Sequence, residues 1–404
     1  MTSKAAGGHR RVEKESRGAQ LSRRAVYAIV LFLTAAASFH GFYAKMGFQD
    51  AVSTRNFEAI IDGTAARPYI YRQFVPATAN LADRIAPEGL KERLAALRSD
   101  DGRGLYASLF SSPTAQNPTY SFRYLVFYLV AFAGAPVAAM LFYLVCRTEG
   151  YTPEIALISA SLMILLIPYI QIRGGGHYED FLEAAFIALA VLLARNAHWL
   201  WLVPVAFLGT LNKESFALVL LALWPLLKDR SNRIRALRQV LSLEVVGISV
   251  YLYTRSRFAG NPGGTVEFHL WDQIHFFAQP GLWLLKFGKV YGIYLPELGT
   301  IVPAIVLGWM IWRSWKELAR PVRQYGWLTA GMNFPLFLLL CNSGEVRDLS
   351  LLYLIVLLCI AATLSRSSRS LMMAPGDSGP WRGERELESW ASSPFESGVP
   401  HVCE

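Results

Sequence analysis

Charge is what this sequence has least of. Asp, Glu, Lys and Arg make up 17% of its 404 residues, where a soluble domain carries about 25%. Hydrophobic residues fill 53%, which excludes an ordinary soluble fold and points to the membrane. Cysteine is scarce as well: Cys146, Cys341, Cys359 and Cys403 are the only four. Three of them fall in or beside apolar runs and none sits at metal-ligand spacing, so neither a disulfide framework nor a zinc site is expected. They read as small buried hydrophobes. The sequence has no G-x-x-x-x-G-K, no G-x-S-x-G and no H-E-x-x-H. ATP-driven transport and the common hydrolase arrangements therefore lack their motifs. No repeat at a fixed period is evident, which disfavours transporters built from inverted repeats.

What the sequence does have is long apolar runs with basic residues between them. A helix needs about 20 apolar residues to cross a bilayer. The candidate spans are 25–45, 122–146, 153–172, 181–196, 198–212, 214–228, 238–254, 296–313, 325–341 and 349–365. This predicts an all-α polytopic protein with about ten transmembrane helices. The fifth and sixth runs are short and fit either a tight helical pair or a re-entrant hairpin. The net charge of +9 is spread through the short segments between runs, so it carries topology and not nucleic-acid binding. Residues 1–24 form a basic leader containing Arg10, Arg11, Lys14, Arg17, Arg23 and Arg24. The run after it exceeds the roughly 7–15 residues of a signal-peptide core and is expected to stay as the first span. With Arg230, Arg233 and Arg235, then Lys316, Arg320 and Arg323, on the same side, both termini are expected on the cytoplasmic side of the cell's inner (plasma) membrane.

The domain layout follows: the leader, a transmembrane domain over 25–365, and a tail over 366–404 rich in Ser, Gly, Pro and charge and expected to be disordered. Within the middle part lie a long first outer loop, 46–121, and a second, 255–295. In the first, Leu81 to Arg98 has the leucine spacing of a surface helix. In the second, Phe276 to Tyr294 is apolar but broken by Pro280, Lys286 and Lys289, and reads as interfacial or re-entrant.

The compact polar clusters border apolar runs on the predicted outer side, where ionisable groups are costly and point to function. The first is Gly174-Gly175-Gly176-His177-Tyr178-Glu179-Asp180 with Glu183. Asp180 and Glu183 share a helical face. They suit a cation, a general base or sugar hydroxyls, while simple helix capping is the plain alternative for Asp180. The second is Asn212-Lys213-Glu214-Ser215, where Lys213 suits a phosphate as a point charge and a solvated turn is the plain alternative. The third is Asn342 to Asp348, with Glu345 and Arg347 as an ion pair or clamp and Asp348 as a cap. The fourth is Pro68 to Pro76, in which Tyr71 and Arg72 suit a phosphate or a sugar ring and an interfacial anchor is the alternative. Asp50 and Asp62 stand upstream of it, and Glu244 lies inside the seventh run.

The order of these pieces resembles the polytopic C-type (GT-C) glycosyltransferases of bacterial membranes. Four stretches carry the likeness: "YIYRQFVP" from Tyr69, "HYEDFLEAAFIALA" from His177, "LNKESFALVL" from Leu211 and "GEVRDLSLLYL" from Gly344. The resemblance covers roughly residues 25–365. It implies a polyprenyl-phosphate sugar as donor, transfer at the outer face, and an acidic residue of the first outer loop as base. Asp50 occupies that place, with Glu179 and Asp180 as further catalytic candidates. The family's acidic pair is absent here, since Asp50 and Asp62 stand apart, and so is the large outer carboxyl-terminal domain of some members. Tyr71, Arg72, His177, Tyr178, Glu183, Asn212, Lys213, Glu214, Glu345 and Arg347 are the expected substrate-binding set. A divalent cation is a possible helper at the phosphate, with no ligand set assigned, and membrane lipids are the expected surroundings. A transporter or flippase and a membrane acyltransferase, for which His177 would matter, are the competing classes.

Overall fold

The computed structural model describes residues 17–50, 52, 54–96, 110, 112–171, 177–264, 268–284, 286–297 and 300–373. Arg173, the Gly174–Gly176 run, residues 1–16 of the leader, Cys403 and the tail beyond residue 373 lie outside the described residues. The described residues are mostly helical, with one short hairpin among them.

Its long helices are α1 (Arg17–Met46), α2 (Phe74–Ile85), α3 (Ser121–Thr148), α4 (Pro153–Ile170), α5 (Asp180–Arg195) and α6 (Leu202–Asn212). After them come α7 (Phe216–Ala222), α8 (Trp224–Arg230), α9 (Arg233–Arg257), α10 (Leu270–Phe277), α11 (Ile301–Ser314), α12 (Arg320–Leu340) and α13 (Tyr353–Met373). Local chemistry sets several boundaries. Thr152 caps α4 by accepting from the Ile155 amide, with Pro153 at the first helical position, where a missing N–H costs nothing. Asn232 caps α9 by accepting from the Arg235 amide at 2.8 Å.

Among the described residues five helical segments are long and apolar enough to cross a membrane: Gly18–Met46, Ser121–Thr148, Pro153–Ile170, Arg233–Arg257 and Val346–Arg369. That is half the number of crossings expected from the sequence, and the reason is length and composition. The run at 181–196 makes a helix of 16 residues. The run at 198–212 gives only 11 residues of α6 after a single tight turn. The run at 214–228 breaks into two seven-residue helices where Pro225 opens α8. The run at 296–313 gives 14 residues. Helix α12 has 21 residues but carries Arg320, Arg323 and Asn333.

One further expectation is corrected. The stretch Leu81 to Arg98 is not one helix: α2 ends at Ile85 and a second helix spans Glu88–Ala96, because Pro87 disfavours helical geometry in the residue before it. The segment Phe276 to Tyr294, expected to be interfacial or re-entrant, is not one continuous element. It contains the end of α10, a four-residue helix Pro280–Trp283, and strand β1 (Phe287–Val290), which pairs antiparallel with β2 (Ile293–Pro296). The turn between the strands is Tyr291-Gly292, both at positive φ, as a two-residue hairpin turn requires. Tyr291 anchors the hairpin by donating to the Leu165 carbonyl of α4 at 2.7 Å.

The bundle is built around α5, most of whose side chains are buried. Helix α3 packs on α5, α4 and α1. The approach of α3 to α5 depends on Gly134: a Cβ there would lie 2.9 Å from the Leu182 side chain and 3.1 Å from its backbone nitrogen. Small residues are what allow such closeness between helices in lipid. The segment that follows α1 is pinned onto the bundle by an aromatic knot, with Phe48 at 4.7 Å from Phe127 and 5.2 Å from Tyr124, ring centre to ring centre.

Polar groups gather at the two ends of α5. At its carboxyl end Arg195 pairs with Glu149 at 2.7 Å and with Asp229 at 3.0 Å. At its amino end the one-turn helix Tyr69–Tyr71, the α6–α7 turn and the tight helical segment Val346–Leu352 all converge. The 16 residues of α5 separate these ends by about 24 Å at 1.5 Å per residue.

Candidate functional site

Asp180 starts α5, and its side chain does not cap that helix. No side-chain cap bond is made at the α5 amino terminus. Instead Asp180 Oδ2 accepts from Gln171 Nε2 at 2.7 Å and from the His177 amide at 3.2 Å. Its Oδ1 faces Arg347 Nη1 at 3.3 Å and Lys213 Nζ at 3.7 Å. One turn further on, Glu183 accepts from Lys213 Nζ at 2.8 Å and from the Ser215 hydroxyl at 3.2 Å. The α6–α7 turn delivers Lys213 because it is stitched to its surroundings: Asn212 Nδ2 donates to the Glu179 carbonyl at 3.1 Å, and the Gln73 amide donates to the Leu211 carbonyl at 2.8 Å.

Arg72 follows the turn Tyr69–Tyr71 and forms a direct ion pair with Glu179, both buried. The Tyr178 hydroxyl donates to the Arg72 carbonyl at 3.1 Å, fixing the backbone behind the guanidinium. Tyr69 stacks on His177 with ring centres 5.8 Å apart and planes 7° from parallel. Arg347 comes from the segment before α13. It also faces Glu345 at 3.6 Å and Asp348 at 3.7 Å, and Asp348 lies 3.6 Å from Lys213. The Tyr353 hydroxyl donates to the Arg347 carbonyl.

The site is therefore a buried network in which Arg72, Lys213 and Arg347 alternate with Glu179, Asp180, Glu183, Glu345 and Asp348. Removing such groups from water is expensive unless each finds its partner. Burial opposes the charge on Arg72, but Glu179 beside it holds the guanidinium pKa above its ordinary value. Burial likewise opposes the Lys213 charge, and Glu183, Asp180 and Asp348 override it and raise its pKa. His177 goes the other way: burial, helped by Arg347 and Arg72, pushes its pKa well down, so the ring is neutral.

The network opens onto a cavity of about 540 Å³ between α7, α9 and α12. Arg72, Lys213, Glu214, Glu345, Arg347 and Asp348 all reach its wall. A much smaller pocket lies on the other side of Tyr69 and Arg72, against Gln49, Arg55, His177 and Tyr178.

Most of the expected binding set is thus drawn to one place; Tyr71 of that set, the expected base Asp50 and the upstream Asp62 stand outside it. Asp50 does not line the cavity. It lies against the Tyr124 hydroxyl at 3.3 Å, and burial raises its pKa. Asp62 is bound to Tyr120 and Arg123, away from the network. Tyr71 is buried, with its ring under the Arg255 guanidinium at 5.2 Å, and does not line the cavity. Asp348, expected as a cap, joins the network beside Lys213 and Arg347. Two residues went unnoticed in the sequence, one of them Gln171, which holds Asp180. Gln273 of α10 is fully buried and donates to the Phe337, Cys341 and Asn342 carbonyls, each at 3.1 Å. It thereby fixes the end of α12 just before Glu345. A lone Gln in an apolar helix carries no local signal that would have exposed it.

Among the described residues no group of three or more His, Cys, Asp or Glu side chains is placed to hold a metal ion. Comparison with known proteins finds no matching family, no matching curated protein and no matching solved structure.

Proposed function

We propose that the protein is a membrane glycosyltransferase that moves a sugar from a polyprenyl-phosphate donor to a cell-envelope acceptor at the outer face of the inner membrane. One observation carries this reading. Three cationic side chains, Arg72, Lys213 and Arg347, are held buried and charged on one wall of a cavity lined also by apolar helix faces. Such a site suits an anionic group on an amphiphile. The phosphate sits against the three cations, with Arg72 and Arg347 offering the planar guanidinium fork that matches phosphate oxygens.

The carboxylates of Glu179, Asp180 and Glu183 are each committed to a cation. Glu214 lines the cavity and keeps its Oε2 without a hydrogen-bond partner among the described residues. It is the carboxylate that takes the acceptor's proton. The acceptor hydroxyl oxygen attacks the anomeric carbon and its proton passes to Glu214. The bond from that carbon to the phosphate oxygen breaks, and polyprenyl phosphate leaves with the electron pair. The cations stabilise the charge that develops on the leaving phosphate. Asp50, which the family resemblance favours as base, has no such access in this arrangement.

The test is transfer by purified protein supplied with a panel of polyprenyl-phosphate sugars. Glu214→Gln is expected to lose about 10²–10⁴ in rate while the protein still inserts and folds. Arg72→Lys is expected to restore donor use poorly. Full turnover in Glu214→Gln, with loss in Asp50→Asn, would return the base to Asp50. No turnover with any donor, together with solute flux in vesicles, would favour a transporter.

A further inference from the structure

The transferase reading places the phosphate but leaves open where the sugar lies and what selects it. The larger cavity extends well beyond the cation wall. Helix α9 contributes Glu244, Ile248, Tyr251 and Arg255 to it, at the four- and three-residue spacing of one helical face. Glu244 lies eleven residues before Arg255, about 16 Å along the helix. Its carboxyl lies against the Leu221 amide, five residues along α7 from Phe216 and so well below the Lys213 turn. Helix α12 contributes Asn333, Leu336 and Leu340.

Both polar groups lack something. Glu244 is 8% exposed and Asn333 2%. Glu244 Oε1 and Asn333 Oδ1 have no hydrogen-bond partner among the described residues, although Asn333 Nδ2 donates to the Asp348 carbonyl at 2.7 Å. Two buried acceptors without a donor, on the walls of one cavity, carry a desolvation penalty that a donor-bearing ligand would relieve. The cavity of about 530 Å³ on the opposite face of α9 makes no such demand. There Ser249 donates to the Val245 carbonyl at 2.6 Å, Thr254 to the Val250 carbonyl at 2.9 Å and Gln73 to the Ile70 carbonyl at 2.6 Å.

We infer that the deep half of the larger cavity is the sugar pocket, and that Glu244, with Asn333, determines specificity by accepting hydrogen bonds from donor groups on the sugar. The sugar enters between α9 and α12, its phosphate stays at Arg72, Lys213 and Arg347, and the Tyr251 ring offers an apolar face beside it. The pocket rejects a sugar that has no hydroxyl or amino group at the position facing Glu244, because the carboxyl oxygen would then stay buried and unpaired. This inference rests on the transferase reading for the phosphate end.

The test is binding to the full protein in lipid nanodiscs. The probes are glucose, mannose and galactose 1-phosphates, their monodeoxy and amino analogues, and hexyl phosphate, which has no sugar. At least one hexose 1-phosphate is expected to bind at least about tenfold more tightly than hexyl phosphate, and one of its monodeoxy analogues to lose that advantage. Glu244→Leu is expected to erase the advantage while leaving hexyl phosphate binding unchanged, and Lys213→Ala to weaken both. Glu244→Gln keeps an acceptor oxygen. It is expected to retain a hydroxyl-bearing sugar, and to lose preference for an amino sugar if an ammonium group is what Glu244 reads. Equal binding of sugar phosphates and hexyl phosphate by the wild type would overturn the inference. So would discrimination that survives in Glu244→Leu. Sugar-phosphate binding as described, without turnover of any polyprenyl-phosphate sugar, would sink the transferase reading and leave the sugar pocket standing.

Discussion

Arg72 and Glu179 show how the site's charges depend on one another. Both are buried and in direct contact, so removing one leaves the other without its partner. Arg72→Ala is expected to destabilise the protein by about 3–5 kcal/mol, the usual cost of breaking a buried pair. The double variant Arg72→Met with Glu179→Leu replaces both charges by apolar groups and is expected to recover most of that loss, since buried pairs are often matched by well-packed hydrophobes. It is still expected to be inactive, because the phosphate has lost its guanidinium. Thermal unfolding in detergent, with transfer measured in parallel, checks this. Equal melting of the single and double variants would mean that the pair is not coupled as described. These residues were legible in the sequence because charged letters beside apolar runs stand out. Asp348 was legible too, but as a cap, because its partners Lys213 and Arg347 reach it from different parts of the chain.

Among the elements, the α6–α7 hairpin decides where Lys213 points. Its close turn rests on Gly209, whose missing Cβ would lie 2.5–2.8 Å from the Phe216 ring, and whose carbonyl accepts from the Lys213 amide at 2.9 Å. Gly209→Ala is therefore expected to push Phe216 out of place, at a cost of about 1–3 kcal/mol for overpacking, and to move Lys213 off Glu183. Adding Phe216→Leu should relieve the contact and restore both stability and transfer. If Gly209→Ala melts and turns over like the wild type, the hairpin does not set the lysine. The short runs at 198–212 and 214–228 were readable as a tight helical pair, and the break at Pro225 follows from proline itself. The β1–β2 hairpin was not readable. Its turn, Tyr291-Gly292, lies in an apolar stretch whose strand character comes from docking on α4.

For the whole molecule, the ends of α5 separate two polar layers. Glu149, Arg195 and Asp229 meet at one end, and Arg72, Asp180, Lys213 and Arg347 at the other. The bias of Lys and Arg leads to the expectation that the first layer lies on the cytoplasmic side with both termini, which needs an even number of crossings. Reporter fusions after residue 20 and after residue 366 are both expected to score cytoplasmic, and a fusion within the first outer loop periplasmic. A periplasmic score for one terminus alone would require an odd number of crossings, such as the five segments found among the described residues.

The sequence by itself determined that the chain is helical with apolar runs long enough to cross a membrane, which polar clusters border those runs, and where prolines and caps end several helices. These properties are local: composition, run length and the chemistry of a few adjacent residues settle them. Only the tertiary structure decided that Arg72, Asp180, Lys213 and Arg347 share one network, that Asp50 faces Tyr124 instead of the cavity, and that Glu244 and Asn333 look into the same space. These residues lie far apart along the chain, and which face of each helix meets its neighbour is fixed by packing contacts such as Gly134 against Leu182. No short window of sequence contains both sides of such a contact.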